Sequence, residues 1–229
     1  MAGKSLFFII FIFCISILNG CSSGNKKPKE IGLTAAEQQK AALLRKIDKN
    51  YKDPDAHYQL GKLYQADALW TQAEHEFTVA LGFDPVHRKS QAARVKTLAQ
   101  SGDMKNSKFS ADFYINQASA TAMGSLELAM AFQKEALDEY AFTCYQQALS
   151  LAPNSAKVNR QIGYYYLSKA DQDRAKDYLV RSFQLNSNQP EVAGTLGRLG
   201  IAVKIGQKTT ESTKRLDRMI EKSDEEILQ

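Results

Sequence analysis

The stretch that decides the fold runs from Asp55 to Pro85 and reads "DAHYQLGKLYQADALWTQAEHEFTVALGFDP". In a 34-residue unit that begins at Pro54, small, apolar or aromatic residues and one proline stand at positions 7, 8, 11, 20, 24, 27 and 32. These residues are Leu60, Gly61, Tyr64, Ala73, Phe77, Ala80 and Pro85. The small residues allow two helices to approach closely, the aromatic rings fill the space between them, and the proline ends the second helix. This spacing predicts a hairpin of two antiparallel helices.

The same positions continue downstream in the same register. Units that begin at Ala122 and Ala156 again place small, apolar or aromatic residues there: Leu128, Ala129, Phe132, Ala141, Tyr145, Ala148 and Pro153, then Ile162, Gly163, Tyr166, Ala175 and Leu179. This pattern resembles the tetratricopeptide repeat (TPR) family. His57 departs from it at position 4, and Ser182 and Ser187 depart from it in the last unit. The resemblance implies an all-α solenoid of helix hairpins.

Residues 88–121 have the length of one more repeat but a poor signature. The signature positions hold Arg94, Val95, Leu98, Ser107, Ala111, Tyr114 and Ser119. However, Gly102 and Asp103 lie near the middle, where the turn of a hairpin belongs. The preserved register favours a degenerate repeat, and the alternative is a long insertion that lets the flanking repeats pack directly on each other.

The predicted solenoid spans residues 54–203. It contains repeats at 54–87, 88–121 (degenerate), 122–155 and 156–189, and a partial repeat at 190–203. A capping helix is predicted at each end, at 34–52 and as a charged helix at 204–229, because a solenoid needs terminal helices with one polar face. Few prolines and no alternating strand pattern also favour an all-α chain.

The first 20 residues predict a lipoprotein signal peptide. The apolar run from Leu6 to Leu18 has 13 residues, whereas a membrane-spanning helix needs roughly 20 and a signal-peptide core about 7 to 15. The run ends in Leu18-Asn19-Gly20-Cys21, which resembles the lipobox of bacterial lipoproteins, with cleavage before Cys21 and lipid on its thiol. The alternative is an uncleaved signal anchor in which Cys21 is incidental.

The lipobox resemblance implies a location. Residues 21–33 are rich in Ser, Gly, Lys and Pro and predict a flexible tether. A Cys21 that carries lipid, including palmitate, would hold the mature chain on a membrane, and the chain itself would not cross that membrane. Ser22 is not the Asp that retains enterobacterial lipoproteins at the inner membrane. We therefore expect the outer membrane, with the domain facing the periplasm.

Composition and motifs argue against several function classes. The net charge of +5 falls to +4 when Lys4 leaves with the signal peptide, and a mildly basic domain outside the cytoplasm is not expected to bind nucleic acid. Three scattered histidines lack neighbours at metal-ligand spacing, and no phosphate-binding loop or hydrolase motif is present. Cys144 is expected in the core. The prediction is a protein with no enzymatic activity, metal, cofactor or small-molecule substrate.

The TPR resemblance also implies where a partner binds. In the family, positions 2, 5, 9, 12 and 13 of each first helix line a concave groove. Carried over, the candidate site is Tyr58, Lys62, Lys89, Lys96, Met123, Leu126, Met130, Lys134, Lys157, Arg160 and Tyr164. Six of the twenty groove positions are basic and one is acidic, so we expect an acidic or amphipathic segment of another envelope protein, bound over an apolar floor of Met and Leu. The alternatives are that these residues are merely solvated or that the C-terminal helix fills the groove.

Two functions fit this layout. The first is a membrane-anchored scaffold or adaptor that holds envelope enzymes or regulators. The second is a pilotin-like assembly factor for a type IV or Tad pilus or secretin system, because such lipoproteins share the lipobox and the repeats. Pilus or secretin genes beside the gene for this chain would favour the second.

Overall fold

The computed structural model describes residues 34–204 together with Arg215, Arg218 and Met219. The predicted signal peptide, tether and lipid-attachment residue Cys21 lie outside the described residues, as does nearly all of the helix predicted at 204–229. Within the described part the chain forms ten α-helices and no strand: α1 Ala35–Lys49, α2 Pro54–Ala66, α3 Trp70–Phe83, α4 Arg88–Gln100, α5 Met104–Ala118, α6 Ala122–Lys134, α7 Asp138–Leu151, α8 Ala156–Ser168, α9 Gln172–Leu185 and α10 Pro190–Arg198.

The helices pair in chain order. Hairpins form from α2 with α3, α4 with α5, α6 with α7 and α8 with α9, while α1 packs on α2 and α10 packs on α9. The first helices of successive repeats, α2, α4, α6 and α8, also contact one another in sequence. This layer of first helices backed by second helices is the arrangement of a TPR solenoid, and the predicted all-α fold is confirmed.

Two glycines allow the helices of a hairpin to approach closely. A Cβ atom added to Gly61 would lie 2.6 Å from the ring of Phe77, and one added to Gly163 would lie 2.6 Å from Cγ of Leu179. Phe77 and Leu179 are completely buried, so neither can move aside at low cost. The small residue at position 8 is therefore required by the large one at position 24.

The degenerate segment forms α4 and α5. Its residues at positions 8 and 24, which pack against each other in the other repeats, have exchanged sizes. Val95 stands where the other repeats have Gly or Ala, and Ala111 stands where they have a large residue. Both are completely buried. Because the large and small partners have changed places, the helices can still pack closely, although the repeat no longer matches the family signature.

A polar network takes the place of one apolar contact in this repeat. Arg94 stands at position 7, where the other repeats have Leu or Ile. Its guanidinium donates to Ser110 Oγ at 3.1 Å, to the hydroxyl of Tyr114 at 3.2 Å and to Glu74 at 3.0 Å. A half-buried arginine needs such partners because an unpaired buried charge is costly. This network ties α4 to both α3 and α5.

The turns of the four hairpins share one backbone feature. Ala68, Ala136 and Ala170 have φ angles of 57°, 58° and 58°, and Gly102 has a φ of 90°. All four residues occupy position 15 of their repeats, so the turn geometry is the same in the degenerate repeat as in the others. For Ala this left-handed conformation is unfavourable.

Polar side chains define where several helices begin. The side chains of five N-cap residues each accept a hydrogen bond from the backbone N–H three residues on: Asp53, Asp103, Thr121, Ser155 and Asp171. Such a cap satisfies a backbone donor that the helix itself leaves without a partner. Three of these caps begin first helices, α2, α6 and α8, and two begin second helices, α5 and α9.

Candidate partner-binding face

The four first helices lie side by side in chain order and carry the predicted groove residues of all four repeats. We call the surface formed by α2, α4, α6 and α8 the first-helix face. Side chains join neighbouring helices across it: the amide of Gln65 donates to Thr97 Oγ1 at 2.9 Å, and the amide of Gln133 donates to Ser168 Oγ at 3.1 Å. Residues far apart in the sequence therefore lie side by side here.

A buried carboxylate lies among the lysines of this face. Glu135 directly follows α6 and is only 3% exposed. Lys62 Nζ donates to both of its oxygens, at 2.8 and 2.9 Å, and also to Gln65 Oε1 at 2.5 Å. Lys96 Nζ lies 3.6 Å from Glu135 Oε2. Three successive repeats thus meet in what we call the Glu135 cluster: Lys62, Lys96 and Glu135.

The Glu135 cluster shows that a residue outside the twenty groove positions compensates part of the basic bias counted over them. Two of the six basic groove residues face a buried carboxylate, and Lys89 lies 3.6 Å from Asp55. Sequence reasoning missed Glu135 because it stands at position 14, outside the family groove positions. Its partner Lys62 is also 73 residues away, a separation that no local pattern predicts.

The predicted apolar floor is only partly present. Leu126 is completely buried and Met123 is 7% exposed, so the expectation that they line an open groove is wrong for these two residues. Both side chains belong to the main hydrophobic core cluster. Met130, at position 9, stays half-buried beside the core.

Tyr58 is likewise a packing residue. Its ring lies with its centroid 6.0 Å from that of Phe77 and 5.6 Å from that of His87, and its exposed fraction is 8%. Burial raises the pKa of its phenol to about 12, with smaller contributions from Glu135 and Asp55. The hydroxyl is therefore neutral at physiological pH and can act as a hydrogen-bond donor.

The remaining predicted residues lie on α6 and α8. They share partial or full exposure and an apolar or basic character, and we call them the open patch: Met130, Lys134, Lys157, Arg160 and Tyr164. Arg160 Nη1 donates to Gln189 Oε1 at 3.2 Å, and this neutral acceptor leaves the charge of the arginine in place. Tyr164 packs beside the cluster formed by α9 and α10.

Two clefts are lined partly or wholly by second helices. One of about 270 Å³ lies among α7, α8 and α9 and is lined mainly by aromatic rings, including Tyr165 and Tyr178. The other, of about 360 Å³, lies between α5 and α7 and includes Asp112 and Glu139. In the part of the chain that the structure describes, no group of three or more His, Cys, Asp or Glu could hold a metal ion, and no helix is long and apolar enough to span a bilayer.

Cys144 is an inert core residue. It is completely buried, and burial raises the pKa of its thiol to about 12. A thiol with that pKa is protonated at neutral pH and is a poor nucleophile. Its placement agrees with the packing role expected from the sequence.

Comparison with known proteins gives structural likenesses. No protein-family model matches the sequence, and no curated protein is similar to it. The solved structures that resemble it include PilF of Pseudomonas aeruginosa (25% identity, 64% of this chain and 67% of that chain, TM-score 0.37). They also include YrrB, described as a TPR protein with an unusual peptide-binding site (15% identity, 72% of this chain and 84% of that chain, TM-score 0.36). A third is TTC0263, a TPR protein of Thermus thermophilus (14% identity, 70% of this chain and 88% of that chain, TM-score 0.40).

Proposed function

We propose that this protein is a lipid-anchored scaffold or adaptor of the bacterial cell envelope, which binds a segment of another envelope protein on its first-helix face. The observation that carries the proposal is the open patch. Half-buried Met130 and Tyr164 stand at equivalent positions of neighbouring helices, and basic side chains accompany them on α6 and α8.

The chemistry of the open patch favours an acidic segment with an apolar anchor. Met130 can adapt its side chain to an apolar group, and Tyr164 adds a rigid ring that can also hydrogen-bond. Arg160 can bind a carboxylate with two parallel hydrogen bonds, and Lys134 adds an exposed charge. Since exposed charges are screened within about 8 Å at physiological ionic strength, binding should weaken as salt is added.

Charge reversal at the open patch tests this proposal. The double variant Lys134→Glu, Arg160→Glu should lose most of its partner in a crosslinking pulldown, because like charges set against an acidic ligand cost several kcal/mol. The substitution at exposed Lys134 should cost within about 0.5 kcal/mol. Circular dichroism of the double variant checks that loss of the hydrogen bond from half-buried Arg160 to Gln189 leaves the fold intact. Lys96 is left unchanged because a glutamate there would face the buried carboxylate of Glu135.

The matched control is Lys105→Glu, Lys108→Glu, which makes the same charge change on exposed residues of α5. Equal recovery of partner by both double variants would contradict the proposal. The partner's identity separates the two functions. A secretin or pilus component would identify a pilotin-like assembly factor, and an envelope enzyme or regulator would identify an adaptor.

The lipid anchor has its own test. Cells that express the protein and are fed labelled palmitate should incorporate label into it, and Cys21→Ala should abolish the incorporation because the thiol is the attachment site. The variant Cys144→Ala is the control and should keep the label. Label that persists in Cys21→Ala would refute the anchor.

A further inference from the structure

We propose that Glu135 is an internal competitor for the acidic partner. In the free protein it occupies Lys62 and Lys96, which together form a second carboxylate-binding site on the first-helix face, and an acidic side chain of the partner binds there by displacing it. The proposal rests on the proposed function, since it assigns a second contact to the same acidic segment.

The charges of the cluster do not balance. Two ammonium groups face one carboxylate, so the cluster carries one surplus positive charge. Lys62 Nζ donates to three oxygen atoms, whereas Lys96 Nζ is 3.6 Å from Glu135, which is too long for a hydrogen bond. The side chain of Lys96 is 30% exposed and that of Lys62 is 34% exposed. A second carboxylate can therefore approach the lysines from solvent.

The cluster is continuous with the open patch. Lys62, Lys96, Met130 and Tyr164 occupy position 9 of four successive repeats, and Glu135 directly follows the exposed Lys134. A segment that lies across the first helices would meet this row in order, two lysines followed by two apolar side chains. Its acidic end would face the Glu135 cluster when its apolar anchor sits on Met130 and Tyr164.

Exchange of one carboxylate for another avoids leaving a charge buried without a partner. When Glu135 leaves, the lysines keep an acidic partner. Glu135 is the C-cap residue of α6 and its backbone N–H stays bonded to the carbonyl of Ala131, so only its side chain has to turn towards water. Competition of this kind lowers the apparent affinity in proportion to the fraction of molecules in which the lysines are free of Glu135. Removal of the Glu135 charge should therefore strengthen binding of an acidic ligand.

The direct test measures binding of a fluorescein-labelled peptide of alternating Glu and Leu to the full lipidated chain in detergent, by fluorescence anisotropy. Glu135→Gln should bind the peptide about tenfold more tightly or better, since like-charge opposition is relieved. The control Glu139→Gln removes one exposed carboxylate on α7 and should change the affinity less than twofold. Adding Lys62→Met to Glu135→Gln should abolish the gain.

A second measurement tests the contact between Lys62 and Glu135 without the peptide, through the chemical reactivity of Lys62. Acylation by acetic anhydride, followed by mass spectrometry, should find Lys62 protected in the wild-type chain relative to exposed Lys105, and reactive in Glu135→Gln. If Glu135→Gln does not fold, Glu135→Asp serves instead, because it keeps the charge on a shorter side chain. It should raise both the peptide affinity and the reactivity of Lys62, by less than the full effects given for Glu135→Gln.

The proposal would be overturned if a folded Glu135 variant bound the peptide no more tightly than the wild-type chain. It would also be overturned if no variant bound the peptide measurably. The pulldown with Lys134→Glu, Arg160→Glu is independent of that result. The partner-binding face could thus stand while the exchange at Glu135 fails.

Discussion

Gly61 shows how a single residue fixes the distance between two helices. The variant Gly61→Ala places a Cβ atom 2.6 Å from the completely buried ring of Phe77, and overpacking of this kind costs about 1 to 3 kcal/mol. The matched control is Gly82→Ala in α3, where nothing lies within 4 Å of the added atom. That control should gain roughly 0.5 to 1 kcal/mol from helix propensity. Urea denaturation measures the free energy of unfolding of both variants, which should fall in Gly61→Ala and rise in Gly82→Ala. Equal changes in the two variants would contradict the close packing of Gly61 on Phe77.

The thiol of Cys144 should be unreactive in the folded chain. In a variant with Cys14 and Cys21 replaced by Ala, a disulfide reagent at pH 8 should leave the native thiol unmodified and react fully after denaturation, because burial raises the pKa of Cys144 from its usual 9.0 to about 12. The unfolded thiol ionises first, so its contribution to stability is present below pH 9 and is lost as the pH rises towards 12. Rapid modification of the native chain would show that the site is open to solvent.

Sequence reasoning identifies such core residues better than it identifies charge partners. Gly61, Phe77 and Cys144 follow from spacing, because repeat periodicity determines which side of a helix faces the core. The pairing of Glu135 with Lys62 does not follow from it, since repeats contact mainly their nearest neighbours in the usual description and this pair joins the first repeat to the third.

At the scale of single elements, the turns at position 15 hold the hairpins in register. The substitution Ala170→Gly should stabilise the protein by up to about 1 kcal/mol, because Ala170 has a φ of 58° and left-handed backbone costs a non-glycine residue about 1 to 2 kcal/mol. The same change at exposed Ala42, inside α1, should destabilise by about 1 kcal/mol. Thermal unfolding followed by circular dichroism distinguishes the two. A loss of stability in Ala170→Gly equal to that in Ala42→Gly would contradict the assigned turn.

The element bounds were less predictable than the elements themselves. Residues 88–121 form two helices despite their poor signature, because Val95 and Ala111 exchange the usual sizes and Arg94 makes polar contacts that the family pattern does not include. At the ends, α1 stops at Lys49 within the predicted 34–52, and α10 stops at Arg198 within the predicted 190–203. Gly200, with a φ of 81°, turns the chain there.

At the scale of the whole molecule, the first-helix face has two parts with different electrostatics. Lys62 and Lys96 in the first two repeats face the buried Glu135, whereas the open patch of the third and fourth repeats combines apolar side chains with basic ones. Counting charges along the sequence treats the two parts alike. Only the packing of the third repeat against the first two shows that one carboxylate already compensates part of the charge of this lysine pair.

The central claim, that a partner binds the first-helix face, is tested most directly by site-specific photocrosslinking in cells. A photoreactive phenylalanine derivative is placed at Tyr164 in the open patch or, as a control, at Phe113, which is 55% exposed on α5. We predict a crosslinked partner from position 164 that is absent from position 113 and is lost when Lys134→Glu, Arg160→Glu is added. A partner captured from position 113 and not from position 164 would contradict the account.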